Sequence, residues 1–187
     1  YKSRNLILAG NFNMTNVDEL FDKLVGLGQS PKEKADTVTI LEKIGHFLDK
    51  ENAQLYDKAK QMGLSKPERA QYQEDHLNIP EILRRASKRW DGGYAMAGMI
   101  GQGDSFVLRD PHGIRPAYYY FNDEVAVVAS ERPVIQTAFD ASFDSVHELP
   151  AGHAFWVKAN AEVEIVPVLT PGPRSNCSFE RIYFSRG

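Results

Sequence analysis

Arg109-Asp110-Pro111-His112-Gly113-Ile114-Arg115-Pro116 is set between runs that alternate or cluster apolar residues as β-strands do. Residues 105–108 lead into it, and 117–121 with 125–129 follow. Two prolines and a glycine leave the backbone few conformations, while two arginines and an aspartate sit at fixed offsets. A turn that only reverses the chain is satisfied by Asn-Gly or Asp-Gly. This loop is longer and more specified than a reversal requires. It therefore demands a surrounding antiparallel framework that holds it.

The 187 residues suit one large domain in preference to two small ones. A hydrophobic content of 42% is enough for a core, and the net charge of −3 argues against a nucleic-acid surface. No apolar run approaches the roughly 20 residues of a membrane span, so no membrane partner is expected. The single cysteine, Cys177, excludes an internal disulfide and fits a reducing compartment, so the cytoplasm is the expected location. The chain opens at Tyr1 almost directly on an apolar run and closes just after another. Both ends read as cuts through a longer protein.

The first half reads as helical after an opening strand over 5–9. Gly10 to Asn16 reads as a turn. Thr15 and Asn16 can both cap a helix, with Glu19 three residues after Asn16 as in a capping box; Gly26 or Gly28 ends it, and Leu20, Leu24 and Leu27 fall on one face. A second helix spans 35–48, with a stripe of Ile40, Leu41, Ile44, Phe47 and Leu48. A polar helical stretch follows, and Ser65-Lys66-Pro67-Glu68 starts another helix. Because 51–76 holds few large apolar groups, it reads as a helical insertion on the surface. Pro80 opens a helix burying Ile79, Leu83, Ala86 and Trp90. From Gly92-Gly93 onward the pattern becomes β, with strands at 94–100, 105–108, 117–121, 125–129, 153–157 and 163–168 and a short helix over 133–138 started by Ser130. Grouped helices and hairpin-linked strands indicate an α+β fold with antiparallel sheets.

Few residues suggest chemistry on pattern alone. Gly98 to Gly103 has glycines between two strands and not before a helix, which makes it a hairpin and not a phosphate loop. The five histidines have no metal-pair spacing, and no metal is expected. Cys177 has no basic neighbour to activate it. Asn11 stands at a strand end, where its amide could point into a cleft as an oxyanion donor or simply serve a turn. Arg109, Asp110 and Arg115 read as an ion-pair network pinning the loop, with presentation of Arg115 to a ligand as the alternative.

Leu8-Ala9-Gly10-Asn11-Phe12-Asn13-Met14-Thr15-Asn16, with Glu19-Leu20 behind it, resembles the strand-end segment of class II glutamine amidotransferases. Gly93-Tyr94-Ala95, the 109–116 loop, Ala129-Ser130-Glu131, Glu148-Leu149-Pro150-Ala151-Gly152 and Cys177 to Arg186 resemble in order the glutaminase half of the amidophosphoribosyltransferases. The resemblance runs discontinuously from Leu6 to Gly187 and omits the 51–76 stretch. It implies an N-terminal-nucleophile fold, an αββα sandwich of antiparallel sheets between helical layers.

It also implies glutamine as substrate, hydrolysed to glutamate and ammonia by an N-terminal cysteine. The ammonia would serve phosphoribosylamine formation in purine synthesis, on a phosphoribosyltransferase domain reached through about 177–187. No cofactor is implied for this domain, and Mg only for that second domain. A homo-oligomer is implied for the parent protein. By position, the Asn11 side chain and the Phe12 backbone N–H would form the oxyanion hole, and Asp36 would hold the glutamine α-amino group, with Thr37 the alternative alignment. Tyr1 is not the family's cysteine, its glutamine-carboxylate arginine has no counterpart here, and Phe12 replaces a glycine and is expected to crowd the pocket. The chain alone is thus expected to be inactive. The other readings are a glucosamine-phosphate synthase type of amidotransferase and a non-catalytic domain that senses glutamine or binds a partner.

Overall fold

The computed structural model describes residues 2–175, 177–179 and 182. Tyr1 and most of the 177–187 exit segment lie outside them. Strand β1 (Leu6–Met14) is followed by helices α1 (Val17–Gly26), α2 (Asp36–Gln61), α3 (Lys66–His76) and α4 (Ile79–Ser87). Strands β2 (Gly92–Ile100), β3 (Ser105–Arg109), β4 (Tyr118–Phe121) and β5 (Ala126–Ala129) come next. Helix α5 (Arg132–Phe139) precedes β6 (His147–Glu148), β7 (His153–Val157) and β8 (Val163–Pro167). One antiparallel sheet has the order β1-β2-β3-β7-β8 and the other β5-β4-β6.

Two apolar layers hold these elements together. Even-numbered β1 residues (Leu8, Phe12, Met14) join Tyr94, Met96, Phe106 and Leu108 in packing against Leu20, Ile40, Ile44, Leu48, Ile82 and Leu83 of the helices. The opposite face of the large sheet, through Ala95, Val107, Phe155 and Val157, meets Ala117, Tyr119 and Val128 from around and within the small sheet. Tyr119 lies 5.3 Å from the Phe155 ring across this gap. Helix α5 covers β4 and β5 from outside. The result is helices, sheet, sheet, helix: the αββα order.

Several local expectations change. The strand expected over 5–9 continues to Met14 because Gly92 to Ile100 offers it a partner along its full length. Cross-strand pairing thus overrides the turn preference of three asparagines. Asn16 occupies the N-cap position of α1 but does not cap it; its side chain donates to the Arg89 carbonyl at 2.9 Å and accepts the Asp91 N–H. Leu27 lies beyond the helix and is exposed.

Helix α2 runs unbroken through Asn52, and the 51–76 stretch is not merely superficial. Asn52 and Gln73 are buried, and the Asn52 carboxamide bonds Ser3 and Leu48 while accepting from Gln73. Leu55 and Ala59 are buried beside them. Ser65 and Glu68 do form the capping box of α3.

Candidate active site

Strand β1 is an edge strand, so half of its backbone groups face its neighbour and half face outward. Thr15 N–H donates to Asp91 O and Gly101 N–H to Asn5 O, which assigns the odd-numbered β1 positions to the β2 side. Even-numbered N–H groups point to the open edge, as Met14 demonstrates by donating to Asp36 Oδ2 at 2.9 Å. The Phe12 N–H takes the same outward direction. Its side chain faces the helices, packed in the main core, and its backbone is ordinary extended strand. The expected crowding of the pocket by Phe12 is therefore corrected: pleating carries the ring to the other face.

Asn11, one residue earlier, faces the gap between the sheets. There it lines a cleft of about 340 Å³ with Ala9, Ala97, Arg115, Val128 and Ser130 among its walls. Gly10 is enforced by close packing: a Cβ would lie 2.7 Å from Ala95 O and 2.8 Å from the Phe12 ring. Asn11, expected at a strand end, lies instead within β1, three residues before its end; its amide sits on the cleft wall, and the next N–H faces the open edge.

Asp36, the first residue of α2, reaches that same rim. It bonds Met14 N–H two residues beyond Phe12, about 7 Å along the strand. It does not line the cleft itself.

The 109–116 loop closes one side of the cleft and is held from within. Asp110 is fully buried, and its carboxylate accepts N–H groups from His112 (2.9 Å), Ile114 (3.0 Å) and Arg115 (3.0 Å). Buried Arg109 donates to the carbonyls of Gly113, Arg115 and Leu149 and to Glu148 Oε1 at 2.8 Å. Gly113 supplies the positive φ of 62° that the turn needs. Burial tends to raise the Glu148 pKa, but Arg109 and then Arg174 outweigh it and hold the carboxyl below its ordinary value. Ile114 fills the space above Gly93, directly across from Asn13, and the following Arg115 lines the same cleft as Asn11.

Sequence reasoning overlooked β6, a strand of two residues, which carries Glu148 and pairs with β4. Its sole sequence cue was the Glu148-to-Gly152 motif. Cys177, half-buried, is not among the cleft residues. Among the described residues, no group of three or more metal-ligating side chains occurs, and no helix is long and apolar enough to cross a membrane.

Four layers in this order, with an asparagine opening from an edge strand onto the cleft between the sheets, constitute the N-terminal-nucleophile type of fold. Within that class, the chain is similar to a part, about a third in length, of amidophosphoribosyltransferases. It is 27% identical to the amidophosphoribosyltransferase of Methanothermobacter thermautotrophicus over 192 residues, covering 100% of this chain and 33% of the relative. It is also 27% identical to that of Pasteurella multocida over 191 residues, covering 97% of this chain and 33% of the relative.

Among solved structures, the glutamine phosphoribosylpyrophosphate amidotransferase of B. subtilis, complexed with ADP and GMP, superposes with a TM-score of 0.65 at 24% identity. That match covers 97% of this chain and 33% of the solved one. A structure described as the allosteric regulatory enzyme of purine biosynthesis gives a TM-score of 0.67 at 24% identity, over 97% of this chain and 32% of that one. No family model matches the chain. The chain spans about a third of the length of these relatives.

Proposed function

We propose that this chain is the glutamine-binding, ammonia-supplying domain of an amidophosphoribosyltransferase-like enzyme, with phosphoribosylamine formation on a second domain as the use of the ammonia. One observation carries the reading: the Asn11 carboxamide lines the inter-sheet cleft, and the N–H of the next residue, Phe12, is turned to the open edge of the same strand and not into the β1–β2 ladder. An amide carbonyl placed between them receives two donors as its oxygen becomes an oxyanion. Asp36, on the same rim, is suited to a substrate ammonium group. Arg109 and Asp110 act as the internal frame of the loop beside it.

In the amidotransferases that the chain resembles, the nucleophile is a cysteine thiol. Cys177 is the only one in these 187 residues and does not line the cleft. The chain alone therefore binds glutamine without turning it over. Mg belongs to the chemistry of the second domain, and the cytoplasm and a homo-oligomeric parent complete the reading.

Calorimetric titration of the chain with L-glutamine tests this. Saturable binding with background-level ammonia release is the expected result. Absence of binding would overturn the glutamine reading, and ammonia release by the chain alone would overturn the account of the thiol.

A further inference from the structure

We propose that Lys43 is a site of N-acylation, and that the cationic cluster of Lys23 and Arg89 beside it selects acyl phosphates as the donor. The inference is independent of the glutamine reading.

Burial and the geometry of a charge cluster lead there. Thr39, Ile40, Lys43, Ile44 and Leu48 belong to the buried stripe of α2, so Lys43 stands where an apolar residue is ordinarily found. It is only 7% exposed, yet its Nζ is not sealed in: the stem runs through protein to an amine that still reaches solvent. Among the described residues, that amine has neither a hydrogen-bond partner nor an ion pair.

Helix α1, packed on α2, places Glu19 and Lys23 near it, and these two pair with each other. Arg89, whose carbonyl accepts the Asn16 side chain at the start of α1, reaches the same Glu19 at 3.7 Å. Three cations therefore share one carboxylate, and Lys23 and Arg89 already engage it. Lys43 is left facing two like charges in a partly desolvated position.

Such a setting makes an amine a nucleophile. Burial first, then Lys23 and Arg89, lower its pKa to about 8, so at pH 7 on the order of a tenth of it carries a free electron pair. Lys34 and Lys158, bonded to carboxylates, are shifted the other way and held as ammonium ions. The excess positive charge also draws an anionic donor toward the amine and stabilises the negative charge that the leaving group acquires. An acyl phosphate fits both requirements. The Lys43 lone pair attacks the acyl carbon, and the bond from that carbon to the phosphate oxygen breaks. Inorganic phosphate leaves with the bonding electrons, and the proton of the amine passes to solvent. The product is a neutral amide, which a buried position holds at lower cost than an ammonium.

The test incubates the protein at pH 7 with acetyl phosphate, or with uncharged phenyl acetate, and reads acetylation of each lysine by peptide mass spectrometry. Acetyl phosphate is expected to modify Lys43 at least tenfold faster than Lys34 or Lys158, at a rate that rises with pH and levels off above about 8. Arg89→Gln alters an exposed side chain, and a thermal melt matching the wild type confirms its fold. In that variant the ratio of the acetyl phosphate rate to the phenyl acetate rate at Lys43 is expected to fall about threefold. The ratio cancels the change that the same substitution makes in the basicity of the amine. Equal rates at Lys43 and the paired lysines would overturn the site, and a ratio unchanged by Arg89→Gln would overturn the selection of acyl phosphates.

Discussion

Asn11 and Phe12 are consecutive residues of one edge strand whose polar groups leave it in perpendicular directions. The Asn11 amide projects from the face into the inter-sheet cleft, and the Phe12 N–H lies in the plane of the sheet, toward its open edge. The strand thereby makes a corner of two donors without a tight turn or a positive φ. Phe12 is compatible with such a site because it contributes only its main chain, while its ring stabilises the opposite face.

Asn11 is exposed and takes no part in the core. Asn11→Ala is expected to leave the melting temperature within experimental error. In a form of the protein that carries the nucleophile, it is expected to slow ammonia release by about 100- to 1,000-fold with little change in KM. Steady-state kinetics with an ammonia readout checks this; an unchanged kcat would exclude Asn11 as a donor.

Asp110 binds three loop N–H groups within the protein interior, so its removal orphans all of them. Asp110→Ala is expected to cost about 3 kcal/mol of stability. Urea unfolding would show it as a lower midpoint at constant slope. Loss below 1 kcal/mol would mean that the loop does not depend on the carboxylate.

Gly92 ends the β1–β2 ladder opposite Met14, with a φ of 137°. A Cβ there would collide with the Asn13 carbonyl oxygen. Gly92→Ala is expected to lose about 2 kcal/mol or more and to disturb the Met14–Asp36 bond. Chemical denaturation measures the loss, and the Met14 amide resonance reports the bond. A variant unchanged in both would contradict the close approach.

Lys43 is buried on α2. Burial lowers its pKa to about 8, the charges of Lys23 and Arg89 add to the effect, and Glu19 opposes it. Between about 8 and the ordinary lysine value of 10.5, the unfolded chain binds the proton more tightly than the folded one. Stability attributable to this group therefore rises as pH climbs through that window, and below it the full penalty applies. Lys43→Met is expected to flatten the rise and to stabilise the protein at pH 7 by about 1 kcal/mol, partial solvent access limiting the gain. Urea unfolding at pH 7 and pH 10 checks both; a variant with the wild-type pH dependence would contradict the assignment.

The hairpins were legible because Gly101 to Asp104 and Asn122-Asp123 separate alternating apolar runs, and β7 spans the residues expected for it. The buried face of α4 followed from the spacing of Ile79, Leu83 and Ala86. Local pattern misled where distant partners decide. Asn11 to Met14 looked like a turn but found a strand partner 80 or so residues later. Asn52 and Gln73 looked like surface polar residues but satisfy one another and Ser3 inside the protein. At the site, the resemblance placed Asn11 and Asp36 by position, but only the pleat and the register separate cleft face from strand rim.

The most direct measurement is a crystal structure of the protein with glutamine bound. The account predicts the side-chain carbonyl oxygen within about 2.7–3.1 Å of both Asn11 Nδ2 and the Phe12 backbone nitrogen. Glutamine seated away from this corner, or turned so that its carbonyl oxygen meets neither donor, would contradict it.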